Sequence, residues 1–140
     1  MATNQKEDKR EVENCKNQIG RRFARRMKDL REIWGEEPAG LTDEQRDEFF
    51  TFDYVAPGTF DGQRRGYFRY QLSWGGPSDE FRFFCDENRK PVRIEYWFLD
   101  WFDGAKKVLT GKDSALLAGI FDDFDDCGAV EERMREAKED

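Results

Sequence analysis

The chain has 140 residues, a formal net charge of −7 and no histidine. Its length suits one domain, and the missing histidine excludes Ser-His-Asp and Cys-His catalytic sites within this chain. Charged residues make up 39% of the sequence, yet 13 Phe, 4 Trp and 4 Tyr provide enough apolar surface for a small, dense core. We therefore predict a single α+β domain over residues 1–140, and the sequence leaves the order of residues 1–10 open.

A long amphipathic helix is predicted over residues 11–35. Apolar side chains recur there in steps of three or four, which places them on one helix face: Val12, Cys15, Ile19, Phe23, Met27, Leu30 and Trp34. The opposite face is basic and includes Arg21, Arg22, Arg25 and Arg26. After Gly35 and Pro38, the capping-box pattern from Thr42 to Gln45 predicts a short second helix that ends near Phe50.

An antiparallel sheet of three to four strands is predicted over residues 66–110. Three segments alternate along the chain as half-buried strands do and are rich in aromatic residues: Gly66–Trp74, Asp79–Cys85 and Pro91–Trp101. The connections between them have the length of hairpin loops. A fourth, short strand around Ala105–Leu109 would complete an antiparallel meander.

Helical segments are predicted again over residues 113–138. Asp113 or Ser114 is the expected N-cap, and Gly128 interrupts the helical pattern. The expected core stripe consists of Leu117, Ile120, Phe121 and Phe124. The predicted order is a long N-terminal helix, a short helix, the meander and a C-terminal acidic helix, with the helices covering one face of the sheet.

Charge is unevenly distributed along the chain. The first 40 residues carry ten basic and eight acidic side chains, whereas the remainder carries fourteen basic and twenty-three acidic ones. The C-terminal helix contributes Asp122, Asp123, Asp125 and Asp126. Like charges three or four residues apart on a helix cost about 0.2–0.5 kcal/mol per pair. Such a group is either a solubilising face or a recognition surface. Extended by Asp100 and Asp103, it would imitate the phosphate row of a nucleic acid.

Two further features suggest contact with a partner. Residues 96–104 are apolar on both faces of the predicted strand, which fits a doubly buried strand or an aromatic patch that binds a protein through Trp97 and Trp101. The arginines of the first helix fit ion pairs within the chain, a homodimer or partner interface, or nucleic-acid contact. The net charge of −7 argues against direct nucleic-acid binding.

No cofactor, metal ion or catalytic residue is predicted. Three widely spaced cysteines without a CxxC motif fit reduced thiols in a cytoplasmic protein better than a zinc site or a disulfide framework. Residues 122–126 lack the ligand spacing of an EF-hand loop. The carboxylates of Glu80, Glu95 and Asp100 leave an acid-only enzyme as a distant alternative. The sequence shows neither a signal-peptide pattern nor a membrane-spanning stretch.

Two segments, Tyr70–Phe83 and Ile94–Ala105, resemble small acidic counter-defence proteins of phages and plasmids, of the anti-CRISPR or antirestriction type. The resemblance implies a non-enzymatic inhibitor that binds a host nucleic-acid-binding protein or complex in the bacterial cytoplasm. The acidic residues would then mimic nucleic acid, and the tryptophans would anchor the contact. The alternative is a small dimeric adaptor or regulatory protein that acts through its basic N-terminal helix.

Overall fold

A five-stranded antiparallel sheet lies at the centre of the fold, and strands adjacent in sequence are adjacent in the sheet. The computed structural model describes residues 15–34, 52–73, 77–100 and 103–139. Its elements are α1 (Cys15–Trp34), β1 (Phe52–Val55), β2 (Tyr67–Ser73), β3 (Ser78–Cys85), β4 (Pro91–Asp100), β5 (Asp103–Val108), α2 (Gly111–Asp126) and α3 (Ala129–Glu139).

The predicted number and layout of strands are wrong, because the sheet has five strands rather than three or four. The missed strand is β1, which pairs antiparallel with β2 from Phe52 opposite Tyr70 to Val55 opposite Tyr67. Four residues are too few for period-two alternation to stand out, and β1 runs directly into the turn that begins at Ala56. The predicted short helix over residues 42–50 lies outside the described residues.

The end of the fold also differs from the single C-terminal acidic helix of the predicted order, because two helices follow the sheet. Gly128, at φ +84°, separates α2 from α3 in a conformation that favours glycine. The expected N-caps, Asp113 and Ser114, are wrong as well. The helix begins at Gly111 after Thr110, whose side chain makes no capping hydrogen bond. Asp113 pairs instead with Arg31 of α1.

The core lies between one face of the sheet and the helices. Cross-strand register aligns Phe68, Phe83 and Ile94 in one row, and Tyr70, Phe81 and Tyr96 in the next. The predicted stripe of α2 is confirmed, because all of its members are buried: Leu117, Ile120, Phe121 and Phe124. The predicted α1 stripe is confirmed at its buried members: Cys15, Phe23, Met27 and Leu30.

Aromatic contacts dominate this core. The ring of Phe124 stacks on Phe52 with centroids 4.2 Å apart, and Phe121 packs edge-on against Phe68 at 5.3 Å. Such pairs contribute about 0.5–1.5 kcal/mol each beyond the area they bury. Thus the short strand β1 is held to the helical layer through Phe52.

The second face of the sheet has a different chemistry. Alternate strand positions place both charged and aromatic side chains there, and buried Val55 and Tyr67 lie outside the core cluster that the described helices help to build. We call this surface the polar-aromatic face and define it by Tyr67, Arg69, Glu80, Arg82, Phe84, Arg93, Glu95, Trp97 and Lys106. It carries one of the two candidate sites described below.

Candidate binding surfaces

The acidic residues of α2 form a compact group in its last two turns. We call Asp122, Asp123, Asp125 and Asp126 the acidic cluster. Asp122 Oδ1 lies 3.9 Å from Nζ of Lys90 in the β3–β4 hairpin. Among the described residues, Asp123, Asp125 and Asp126 have no ion-pair partner. Burial raises the pKa of Asp123, and the neighbouring charges of Asp126 and Asp122 raise it further.

The position of the acidic cluster destabilises α2. Negative charge at a helix C-terminus opposes the helix dipole, and α2 has no basic residue in its last turn. Each such charge costs about 0.3–1 kcal/mol when it is near the surface. The acidic cluster therefore persists for a reason other than helix formation, either solubility or recognition.

The structure does not bring Asp100 and Asp103 together with the acidic cluster. Lys90, which pairs with Asp122, directly precedes β4, whereas Asp100 is the last residue of that ten-residue strand. At about 3.3 Å per residue, the two ends of β4 lie roughly 30 Å apart, and this length separates the two groups of acids. No continuous row of carboxylates joins them along this strand.

Asp103 has a structural role at the far end of β4. Its Oδ2 accepts a hydrogen bond from the backbone N–H of Cys15 at 2.9 Å, where α1 begins. Hydrogen bonds from the backbone N–H groups of Cys15 and Gly104 lower the pKa of the Asp103 carboxyl despite some desolvation. This carboxylate therefore satisfies one of the free donors of a helix N-terminus.

The four candidate arginines of α1 divide into different roles. Arg26 Nε donates to Asp79 Oδ2 at 2.7 Å, and Asp79 is 3% exposed. The guanidinium of Arg22 lies over the ring of Phe98, 5.3 Å from its centroid. Arg21 and Arg25 are exposed. The four residues therefore do not form a uniform basic surface, because Arg26 is partly buried and pairs with Asp79.

Trp97 takes part in a cation–π stack on the polar-aromatic face, and Trp101 lies outside the described residues. The guanidinium of Arg82 lies 3.9 Å from the centroid of Trp97 and 4.7 Å from that of Tyr67. Its Nε donates to Glu80 Oε2 at 2.8 Å. Trp97 Nε1 donates to Glu95 Oε1 at 2.9 Å. Trp97 is therefore held by internal contacts and is only partly available to a partner.

A cleft that the sequence analysis missed opens beside this stack. It encloses about 500 Å³ between the loop 60–65 and the adjoining ends of β2 and β3, where Tyr67, Arg82 and Phe84 line it. The sequence offers one signal for it, the pair Arg64-Arg65 flanked by Phe60 and Tyr67. The turn residues in the same stretch indicate a loop and give no sign of a cleft. Only the pairing of β2 with β3 brings Phe84 next to Tyr67.

Comparison with known protein families, curated proteins and solved structures finds no match to this chain. The resemblance to counter-defence proteins therefore stays a prediction. Within the described residues, no helix has the length and apolar character needed to span a membrane. The same part of the chain holds no group of three or more His, Cys, Asp or Glu side chains arranged to bind a metal ion.

Proposed function

We propose that the protein is a non-enzymatic inhibitor that binds a host nucleic-acid-handling defence complex in the bacterial cytoplasm. The acidic cluster would occupy a basic groove that otherwise binds nucleic acid. One observation carries this proposal: three neighbouring carboxylates, those of Asp123, Asp125 and Asp126, have no compensating cation among the described residues.

Electrostatics supports a recognition role for this end of the molecule. Burial, together with the nearby charges of Asp86 and Asp125, raises the pKa of the Cys85 thiol to about 12. The carboxylates of Asp86 and Asp125 thus lie close to the same thiol, while Arg89 and Lys90 balance the two acids of the hairpin, so the net negative charge at this end comes from α2. A concentrated field of one sign steers association with an oppositely charged partner and strengthens it at low salt.

Two of the three carboxylates considered for an acid-only enzyme have structural partners, which supports a binding role over a hydrolytic one. Glu80 is paired with Arg82, and Glu95 Oε2 accepts from Arg93 Nε at 2.6 Å. Both carboxylates are buried on the polar-aromatic face. A general acid would need to be free to exchange a proton with a substrate.

The test is a pull-down with tagged protein from a nuclease-treated bacterial lysate, eluted with a salt gradient in the presence or absence of competing DNA. The variant replaces Asp123, Asp125 and Asp126 with Asn. A control removes exposed carboxylates far from both candidate sites in the sequence, through Asp29→Asn and Glu32→Gln of α1.

We expect capture of a nucleic-acid-binding protein that DNA displaces. The captured protein should elute from the cluster variant at a lower salt concentration than from the wild type. It should elute from the control at the same salt concentration as from the wild type. Equal elution of all three proteins would reject the role of the acidic cluster. Capture of the protein itself alone would instead favour the dimeric adaptor.

A further inference from the structure

We propose that the cleft between the loop 60–65 and the polar-aromatic face binds a nucleotide, either free or as one unit of a strand. The base would stack on the aromatic side chains, and the phosphate would bind Arg64 and Arg65. This site is separate from the acidic cluster and does not depend on the proposed function.

The size and lining of the cleft suit such a ligand. Its volume of about 500 Å³ lies within the usual range of small-molecule sites, roughly 300–1,000 Å³. Its walls combine three aromatic rings with three arginines: Phe60, Tyr67, Phe84, Arg64, Arg65 and Arg82. A planar ring that carries a phosphate uses both kinds of side chain at once.

The charge inside the cleft is positive, although the whole chain carries −7. Arg64 and Arg65 are exposed and have no ion-pair partner among the described residues. Arg82 is already paired with Glu80. Asp61 is the one acid in the lining. Two unpaired guanidinium groups are therefore available to an anion, and arginine binds phosphate through paired N–H donors.

Two of the three aromatic rings, Phe60 and Phe84, can stack with a base, whereas Tyr67 is buried behind them. Phe60 is 51% exposed at the rim, so its ring is open to a ligand. Inside the cleft, Phe84 packs on Tyr67 with centroids 5.5 Å apart, and the guanidinium of Arg65 covers Phe84 at 5.6 Å. An entering base can replace Arg65 on Phe84 and release that guanidinium to the phosphate.

A second observation concerns the Tyr67 hydroxyl beside the cleft. The hydroxyl of Tyr67 is buried without a hydrogen-bond partner, and Tyr67 itself is only 3% exposed. Buried polar groups are normally paired. A polar ligand that enters beside the Tyr67 ring, or the water ordered by it, would supply that partner after a small shift of the side chain.

The experiment titrates the full-length protein with adenosine monophosphate, adenosine, inorganic phosphate and a short oligodeoxyadenylate at one fixed salt concentration. Affinities are measured by calorimetry, and contacts by saturation-transfer NMR. The variants are Arg64→Ala, Arg65→Ala and Phe60→Ala, all at exposed positions where folding is not at risk. Arg89→Ala is the matched control, because it removes the same charge from the neighbouring hairpin.

We expect the monophosphate to bind at least about tenfold more tightly than adenosine or phosphate, since it alone uses both arginines and aromatics. Each cleft variant should weaken the affinity for the monophosphate about fivefold or more, and Arg89→Ala should leave that affinity unchanged. Tighter binding of the oligonucleotide, weakened by the same variants, would identify a strand as the source of the nucleotide. Equal affinity would identify the free nucleotide.

The proposal is overturned if neither the monophosphate nor the oligonucleotide binds at millimolar concentration. It is also overturned if binding is unaffected by the cleft variants, or is weakened equally by Arg89→Ala, which would indicate non-specific attraction to positive charge. Because no variant touches the acidic cluster, either failure leaves the proposed inhibitor function unaffected.

Discussion

Arg26 of α1 and Asp79 of β3 form a two-point ion pair on the helical side of the sheet, with Nε to Oδ2 at 2.7 Å and Nη2 to Oδ1 at 3.1 Å. Tyr96 donates its hydroxyl hydrogen to Oδ2 at 2.7 Å, and the hydroxyl of Ser73 donates to Oδ1. A buried carboxylate with this many donors is fully satisfied. The pair thereby fixes where α1 lies on the sheet.

Replacing Arg26 by Ala should lower the free energy of unfolding by about 2–3 kcal/mol. Removal of one partner of a fully buried pair costs roughly 3–5 kcal/mol, and Ser73 and Tyr96 still hold Asp79 here. Urea denaturation at pH 7 measures the change. Arg25→Ala, at an exposed neighbouring position, should stay within about 0.5 kcal/mol of the wild type. Equal losses for both variants would contradict the role of the ion pair.

The same carboxylate predicts a pH dependence of stability. Burial by itself raises the pKa of Asp79, but hydrogen bonds from Arg26, Ser73 and Tyr96 outweigh it and lower the pKa. The folded state therefore releases this proton more readily than the unfolded chain. The stabilisation is complete above the ordinary carboxyl pKa of about 3.9 and is lost as the pH falls below it.

Urea midpoints of the wild type and Asp79→Asn between pH 7 and pH 3 test this sign. We expect the wild type to be more stable at pH 7 and the difference to shrink below about pH 4. A difference that stays constant over that range would show that the charge of Asp79 does not matter.

The sequence predicted the elements whose signal is local and missed the contacts that depend on distant pairing. Periodicity over several turns indicated the stripe of Leu117, Phe121 and Phe124 because a helix repeats its pattern within one segment. Nothing local links Arg26 to Asp79, which lie 53 residues apart. The four residues of β1 carry too little pattern to be recognised, since their strand exists only through pairing with β2.

The candidate sites divide in the same way. The sequence alone identified the acidic cluster, because its four charges lie within the five residues 122–126. The cleft needed the register of three strands, which brings Arg82 between Tyr67 and Trp97. Charge counting also grouped Asp100 and Asp103 with the cluster, and the length of β4 separates them. Sequence distance is thus a poor guide to surfaces built across a sheet.

Replacing Arg82 by Met should destabilise the protein more than replacing Arg93 by Met. Both arginines pair with a buried carboxylate. Glu80 has Arg82 as its ion-pair partner among the described residues, whereas Glu95 keeps Lys106 and the Trp97 N–H when Arg93 is lost. By urea denaturation, we expect the free energy of unfolding to fall by about 2–3 kcal/mol for Arg82→Met and by about 1 kcal/mol for Arg93→Met. The reverse order would contradict this account of the polar-aromatic face.

Asp103 should behave as a helix cap and not as part of the acidic cluster. Its replacement by Ala removes the acceptor for the N–H of Cys15 and should lower the unfolding temperature. Asp103→Asn keeps an acceptor oxygen and should lower that temperature much less. Thermal unfolding of the two variants separates the hydrogen bond from the charge. Equal loss in both would show that the negative charge, and not the cap, stabilises α1.

Asp123 should lower the stability of the protein at neutral pH. Burial and the charges of Asp126 and Asp122 raise the pKa of its carboxyl, so the folded state binds this proton at a higher pH than the unfolded chain does. The penalty is fully present above the raised pKa and disappears as the pH falls below the ordinary value of about 3.9.

Asp123→Asn should therefore raise the unfolding temperature at pH 7, with a gain that vanishes near pH 3.5. Asp29→Asn makes the same chemical change at an exposed site of α1 and should leave the unfolding temperature nearly unchanged. A wild type that is more stable than Asp123→Asn at pH 7 would contradict this prediction. If Asp123→Asn gains stability while the triple variant loses its captured partner, the carboxylates are retained for binding at the expense of stability.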